Sequence, residues 1–167
     1  MYTVKKIPAN DRLIMHITQR LLAPEVKPLL FDDFMGFAET YSLLGHPRTL
    51  VFGIFRDGLT YPLGTVFFTG IVPYRNANMY AVIFDAQYRG KKILQKVLDD
   101  VKKQLLDTYP LSSIETQVLK DNESSIHLLT KNKFKKLGSR ADALVINGEP
   151  REVIYFYRIL EPCECDE

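Results

Sequence analysis

The segment from Met79 to Leu119 constrains this chain more than any other. It opens on an unbroken apolar run, MYAVIF at 79–84, the pattern of a central strand covered on both faces. From Lys91 to Leu106 the residues Ile93, Leu94, Val97, Leu98, Val101 and Leu105 recur at helical spacing, with Lys92, Lys96, Asp99, Lys102 and Lys103 on the opposite side. After the Tyr109-Pro110 break, SSIETQVL sets Ile114, Thr116 and Val118 against Glu115, Gln117 and Leu119, which is strand alternation. Strand, helix, strand in that order predicts two parallel strands joined by a right-handed crossover. The fold class is therefore mixed α/β.

The flanking segments extend the sheet. Residues 2–7 suit a short strand, and the next stretch places Ile14, Ile17 and Leu21 on one helical face behind a cap at Asn10 or Asp11. A second short helix is predicted in DDFMGFAETYSLLG, capped by Asp32 or Asp33 and ended before Gly45-His46-Pro47. TLVFGIF and LGTVFFTGIV around the RDG turn read as a hairpin. A further helix starts at Asp121 or Asn122 and carries Ile126 and Leu129. The segment ADALVINGEPREVIYFYRIL reads as a closing hairpin, because Asn147-Gly148 tolerates the positive φ of a tight turn.

No repeat or linker interrupts these elements, and 167 residues suit one domain, expected over 1–160 with an acidic tail at 161–167. The two cysteines, Cys163 and Cys165, both fall in that tail, too close together to staple a fold; the expected state is reduced and the expected compartment cytoplasmic. There is no leader-like N-terminus and no apolar run near 18 residues, so no membrane association is expected. A net charge of +2 with acids and bases interspersed gives no direct nucleic-acid signal. His16, His46 and His127 lie on different elements without metal-ligand spacing, so no metal is expected.

The loop QYRGKKIL links the apolar strand to the striped helix. Backbone N–H groups in the first turn of a helix lack internal partners, and the helix dipole adds positive potential, so a diphosphate fits there. A strand-to-helix turn needing a single glycine explains the same residues.

YRGKKILQKVLDDV resembles motif A of the GNAT superfamily of acyl-CoA-dependent N-acyltransferases, and LKDNESSIHLLTKNKFKKLG resembles its motif B. The resemblance covers residues 49–160 well and the N-terminal helices loosely. It implies the GNAT fold, a mixed central sheet with a splayed parallel strand pair and flanking helices. It also implies acetyl-CoA (or CoA) as cofactor and an amine acceptor, either a small molecule or a protein. Under it Val82, Ile83 and Phe84 form the edge for the pantetheine arm. Arg89, Gly90, Lys91, Lys92, Ile93 and Leu94 wrap the diphosphate, and Asn122 binds near the cofactor arm.

The chain departs from the family pattern at several positions. Lys92 and Leu94 stand where motif A carries glycines, and a register starting at Gln87 keeps Gly90 but again ends on Lys92. Gln117 and Leu129 stand where a proton-accepting Glu and a proton-donating Tyr are common, and neither transfers protons at neutral pH. Glu115, two residues from Gln117 on the same strand face, is the candidate base acting through a water, with Asp85 as another. Tyr155 or Tyr157 is the candidate acid. The plainer roles are a solvated strand carboxylate for Glu115, a loop acid for Asp85 and sheet-edge packing for the tyrosines. Asp32, Asp33 and Glu39 suit helix-start positions better than an amine pocket. The expected function is acetyl-CoA-dependent N-acetyl transfer by direct attack of the amine. The alternative is a non-catalytic module of the same fold that binds a protein partner, and EVIYFYRIL could pair in a homodimer.

Overall fold

The structure, a computed structural model, describes residues 1–160; the acidic tail with Cys163 and Cys165 lies outside them. Seven strands form one sheet: β1 Tyr2–Ile7, β2 Leu50–Arg56, β3 Gly64–Thr69, β4 Asn76–Ile83, β5 Ser113–Leu119, β6 Lys135–Ile146 and β7 Glu149–Ile159. Their order is β1-β2-β3-β4-β5-β7-β6. Every neighbouring pair is antiparallel except β4 and β5, which are parallel and joined through helix α3, Ile93–Thr108. The strand-helix-strand reading of 79–119 therefore gives the parallel pair and the connecting helix it predicts.

The sheet has two covered faces because its residues alternate. On one face Phe52, Val66, Phe68, Met79, Ile114 and Val118 meet Ile93, Val97, Val101 and Leu105 of α3, together with Leu129 of α4, Glu123–Lys131. On the other, Val51, Phe67, Val82 and Phe84 meet Ile14, Ile17 and Leu21 of α1, Arg12–Leu21, and Leu44 of α2, Phe37–Leu44. Full burial of side chains of this size contributes about 1.5–3 kcal/mol each relative to exposure, which is why the two apolar stripes, and not local propensity, hold the helices in place.

Asp11 caps α1 by accepting from the Leu13 N–H at 2.8 Å, and the Asn122 side chain caps α4 by accepting from Ser125 N–H at 3.2 Å. The predicted cap of α2 is corrected. That helix begins at Phe37 behind Gly36, whose N–H donates to Glu39 Oε2 at 3.2 Å. Asp32 instead accepts from Phe34 N–H within a turn, and Asp33 binds a distant hairpin. Two further boundaries shift. A single 3-10 turn, Ala86–Tyr88, precedes α3. β6 begins at Lys135, six residues before the predicted hairpin, and register breaks between Lys136 and Gly138 and between Arg140 and Leu144 hide its alternation.

Candidate functional site

β4 and β5 pair only over Asn76–Met79 and Ser113–Thr116. At the last pair Thr116 Oγ1 donates to the Met79 carbonyl at 2.7 Å. Beyond it β4 stays with β3 as far as Ile83, and β5 stays with β7 as far as Leu119, so the two strands diverge and leave a wedge. Backbone groups alternate sides along a strand. Phe84 N–H donates to Leu63 on the β3 side, and by alternation Val82 also faces β3. Of the three expected edge residues only Ile83 turns its amide into the wedge. It is joined there by Ala81, which sequence reasoning passed over. The Val82 and Phe84 side chains lie buried under α1.

The loop after β4 arranges the remaining predicted residues. Arg89 Nε donates to the Ile83 carbonyl at 2.8 Å, and one Arg89 terminal nitrogen donates to the carbonyls of Phe84 at 2.7 Å and Glu25 at 3.4 Å. This guanidinium locks the loop to the end of β4. Gly90 has φ +74°, with nothing within 4 Å of where a Cβ would stand. Lys92 has φ +57° and precedes α3 without giving its first turn a side-chain cap. Lys91 lies over the Tyr88 ring, 5.4 Å from its centre. Ile93 is buried, and Leu94 packs against the same core, so both contribute backbone and not side chain to the mouth of the wedge. The result is an uncapped helix N-terminus beside two lysines, a donor set suited to a diphosphate.

Asp85 at the end of β4 is not free to act as a base, because its carboxylate pairs with Arg20 of α1, whose guanidinium also lies over the Phe84 ring. His16 stacks on Tyr61, with ring centres 4.5 Å apart; burial, reinforced by Arg20, lowers its pKa.

On the face under α1 and α2, the divergent part of the sheet presents Asn76, Asn78 and Tyr80 from β4, Glu115 and Gln117 from β5, and Tyr155 and Tyr157 from β7. The β5–β7 register sets Glu115 opposite Tyr157 and Gln117 opposite Tyr155. Glu115 Oε1 accepts from Asn76 Nδ2 at 3.3 Å, and Glu115 remains partly exposed. Tyr80, also missed in the sequence, stacks on Phe67 at 4.9 Å between ring centres. Burial, and secondarily the nearby Tyr155, raise the Tyr80 pKa.

A strap formed by residues 25–35 crosses this face. One end is the Glu25 carbonyl bound by Arg89. At the other end the Asp33 carboxylate accepts from the N–H groups of Asn147 at 2.9 Å and Gly148 at 2.8 Å, while Asp33 N–H donates to the Val145 carbonyl at 2.8 Å. The two amides converge because Asn147 and Gly148 both have positive φ, the geometry of a tight hairpin turn. They hold the Asp33 pKa below the usual carboxylate range. Beneath the strap, Leu29 and Pro28 face Leu119, Asn122, Ile146 and Arg151 across an open cleft of about 340 Å³. Asp121, the one carboxylate lining it, pairs with Arg151. Asn122 therefore stands both at the cap of α4 and at this cleft. Among the described residues no helix is long and apolar enough to cross a membrane, and no cluster of three potential metal ligands is formed.

No family model matches the chain, and neither does any curated protein. Solved structures do match. The ribosomal-protein-S5-alanine acetyltransferase from Vibrio fischeri superposes with a TM-score of 0.76 at 21% identity, covering 95% of this chain and 92% of that one. Spermidine N-acetyltransferase from Vibrio cholerae, in complex with CoA and spermine, gives 0.76 at 19% identity, covering 95% of each chain. An acetyltransferase of the GNAT family from Streptococcus pneumoniae gives 0.72 at 14% identity, covering 96% of this chain and all of that one. The chain has the GNAT fold.

Proposed function

We propose that this protein is an acetyl-CoA-dependent N-acetyltransferase. One observation carries the reading: a parallel strand pair that parts after Met79 and opens toward a left-handed turn and an uncapped helix N-terminus. Two of the structural neighbours are N-acetyltransferases, of a ribosomal protein and of spermidine, and one of those is a complex with CoA. Fold alone does not assign an activity, so the reading rests on what the site's own residues can do.

When bound, acetyl-CoA supplies an acetyl group already activated as a thioester. The first-turn amides of Ile93 and Leu94, with Lys91 and Lys92, would hold its diphosphate, and the open conformation at Gly90 lets backbone approach closely. Ala81 and Ile83 offer amides to an arm lying in the wedge, and Asn122 borders it at the start of α4. The Ile83 N–H is the donor available to stabilise charge developing on a carbonyl oxygen. Glu115, held by Asn76, takes the acceptor's proton through a water, and Tyr155 returns one to the leaving sulfur. General acid and base groups typically contribute about 10²–10⁴-fold, so a site with a single carboxylate still catalyses from positioning.

The alternative, a non-catalytic module, is favoured by one feature: Arg89, the cation nearest the wedge, is already bound to three carbonyls. Thermal unfolding with acetyl-CoA and with CoA separates the two readings. At about 100 times its dissociation constant a ligand stabilises the folded state by about 2.7 kcal/mol. The enzyme reading expects that shift from both, and expects Glu115→Gln to keep the shift while slowing turnover at least about 100-fold. No shift at millimolar cofactor refutes it.

A further inference from the structure

We infer that Arg89 is a gate on the wedge between β4 and β5, opened by a diphosphate and kept closed to a pantetheine arm that carries none. The inference rests on the acetyl-CoA reading and extends it to the choice between CoA and pantetheine thioesters that lack a diphosphate.

The gate is defined by where Arg89 donates. In an antiparallel pair the N–H and C=O of one strand residue point to the same side. Phe84 N–H donates to Leu63 on the β3 side, and the Val82 carbonyl also faces β3, since a Cβ on Gly64 would stand 2.6 Å from it. The Ile83 carbonyl between them therefore lies on the wedge side, past Met79, the last residue of β4 that pairs with β5. Arg89 Nε donates to that carbonyl at 2.8 Å, and a terminal nitrogen donates to the Phe84 carbonyl at 2.7 Å. The guanidinium thus covers the last wedge-side acceptor of β4. A pantetheine arm brings amide groups, and to pair like a strand with Ala81 and Ile83 it needs their carbonyls as well as their N–H groups.

The charge on Arg89 decides which ligand draws it away. The side chain is half-buried, yet among the described residues no carboxylate pairs with it. Arg20, Arg140 and Arg151, by contrast, each pair with an aspartate. The partners of Arg89 are neutral carbonyls, and the contact to Glu25 is stretched to 3.4 Å. Hydrogen bonds in which both partners are ionised are the strong ones, and the planar fork of arginine matches phosphate oxygens in pairs. A diphosphate therefore outcompetes the carbonyls for this guanidinium, whereas neutral pantetheine has nothing to offer it.

The backbone permits the swing. Gly90, the next residue, has φ +74° with nothing within 4 Å of where a Cβ would stand, and Arg89 lies four positions before Ile93, the first residue of α3. The side chain that leaves Ile83 is thus placed to meet the anion at the helix start, and its departure frees the Ile83 carbonyl for the arm.

The test uses the whole chain and three probes: CoA, dephospho-CoA, which keeps the diphosphate and lacks the phosphate on its ribose, and pantetheine. Calorimetry gives the affinity of each for the wild type, Arg89→Ala and Arg89→Lys, and circular dichroism checks that the variants fold. Heteronuclear NMR follows the Arg89 Nε–H signal in the wild type, identified by its loss in Arg89→Lys. Each bond exchanged is one to a charged group, so Arg89→Ala is expected to bind pantetheine about 10-fold more tightly than the wild type and both diphosphate probes about 10-fold more weakly. In the wild type the Nε–H signal should shift with CoA and dephospho-CoA and stay in place with pantetheine. Pantetheine affinity that is unchanged, weaker or still undetectable in a folded Arg89→Ala overturns the inference. So does an Nε–H signal that stays in place at saturating CoA or moves equally with pantetheine, and this arm decides alone if Arg89→Ala does not fold. Failure of CoA to bind the wild type marks failure of the acetyl-CoA reading instead.

Discussion

Lys92 holds the backbone angle that most directly shapes the cradle. A left-handed conformation costs an ordinary L-residue roughly 1–2 kcal/mol, and glycine avoids that cost while losing more chain entropy on folding. Lys92→Gly is therefore expected to raise stability by up to about 1 kcal/mol, measured as a higher denaturant midpoint at unchanged slope. If lysine charge contributes to diphosphate binding, the same variant should weaken CoA binding and flatten its salt dependence, leaving Lys91 alone to supply charge; unchanged affinity and salt dependence would show that the backbone alone does the holding. Individual residues were the least legible part of the sequence. The loop around Gly90 was found by its turn chemistry. That Val82 and Phe84 aim their amides at β3 while Ala81 and Ile83 face the wedge depends on which side β3 lies, and no local pattern records it. Asp85 read as a free acid because its partner, Arg20, is 65 residues away.

At the scale of elements, the end of β4 is shaped from behind by Gly64. A Cβ there would stand 2.6 Å from the Val82 carbonyl and 3.2 Å from the Ile83 Cα, both backbone atoms without room to yield. Gly64→Ala should destabilise the fold by about 1–3 kcal/mol and, by pushing β4 toward the wedge, weaken CoA binding further than the stability loss explains. A variant with normal stability and normal CoA affinity would show that this close approach is incidental. Elements with an undivided apolar pattern were legible: the α3 stripe, the β5 alternation and the Asn147-Gly148 turn all lie where periodicity and turn chemistry put them. The start of α2 was not, since Asp32 and Asp33 look the same to a capping rule whether they bind the next turn or a hairpin over a hundred residues away.

Across the whole molecule the Asp33 contact joins the N-terminal strap to the C-terminal hairpin. Its pKa is lowered first by the Gly148 amide and then by that of Asn147. A carboxylate with a depressed folded pKa contributes stability above its unfolded pKa, near 3.9, and loses that contribution as pH falls through the lower folded value. The melting-temperature difference between the wild type and Asp33→Ala should therefore be flat from pH 8 to pH 5 and close only in stronger acid. A difference that vanishes between pH 6 and 7 would assign the contact's energetics to another group. β7 carries a consequence of a different kind. It is the last of the described strands in sequence, yet it lies inside the sheet, between β5 and β6. During synthesis β5 must therefore wait with an open hydrogen-bonding edge until residues 149–159 have left the ribosome, and such an edge invites pairing with other chains. The strap's anchor at Asn147-Gly148 is made just as late. A nascent chain halted before that point has its wedge but neither the wall nor the clasp of its cleft, so the timing of translation, as much as the final packing, decides when that cleft is complete.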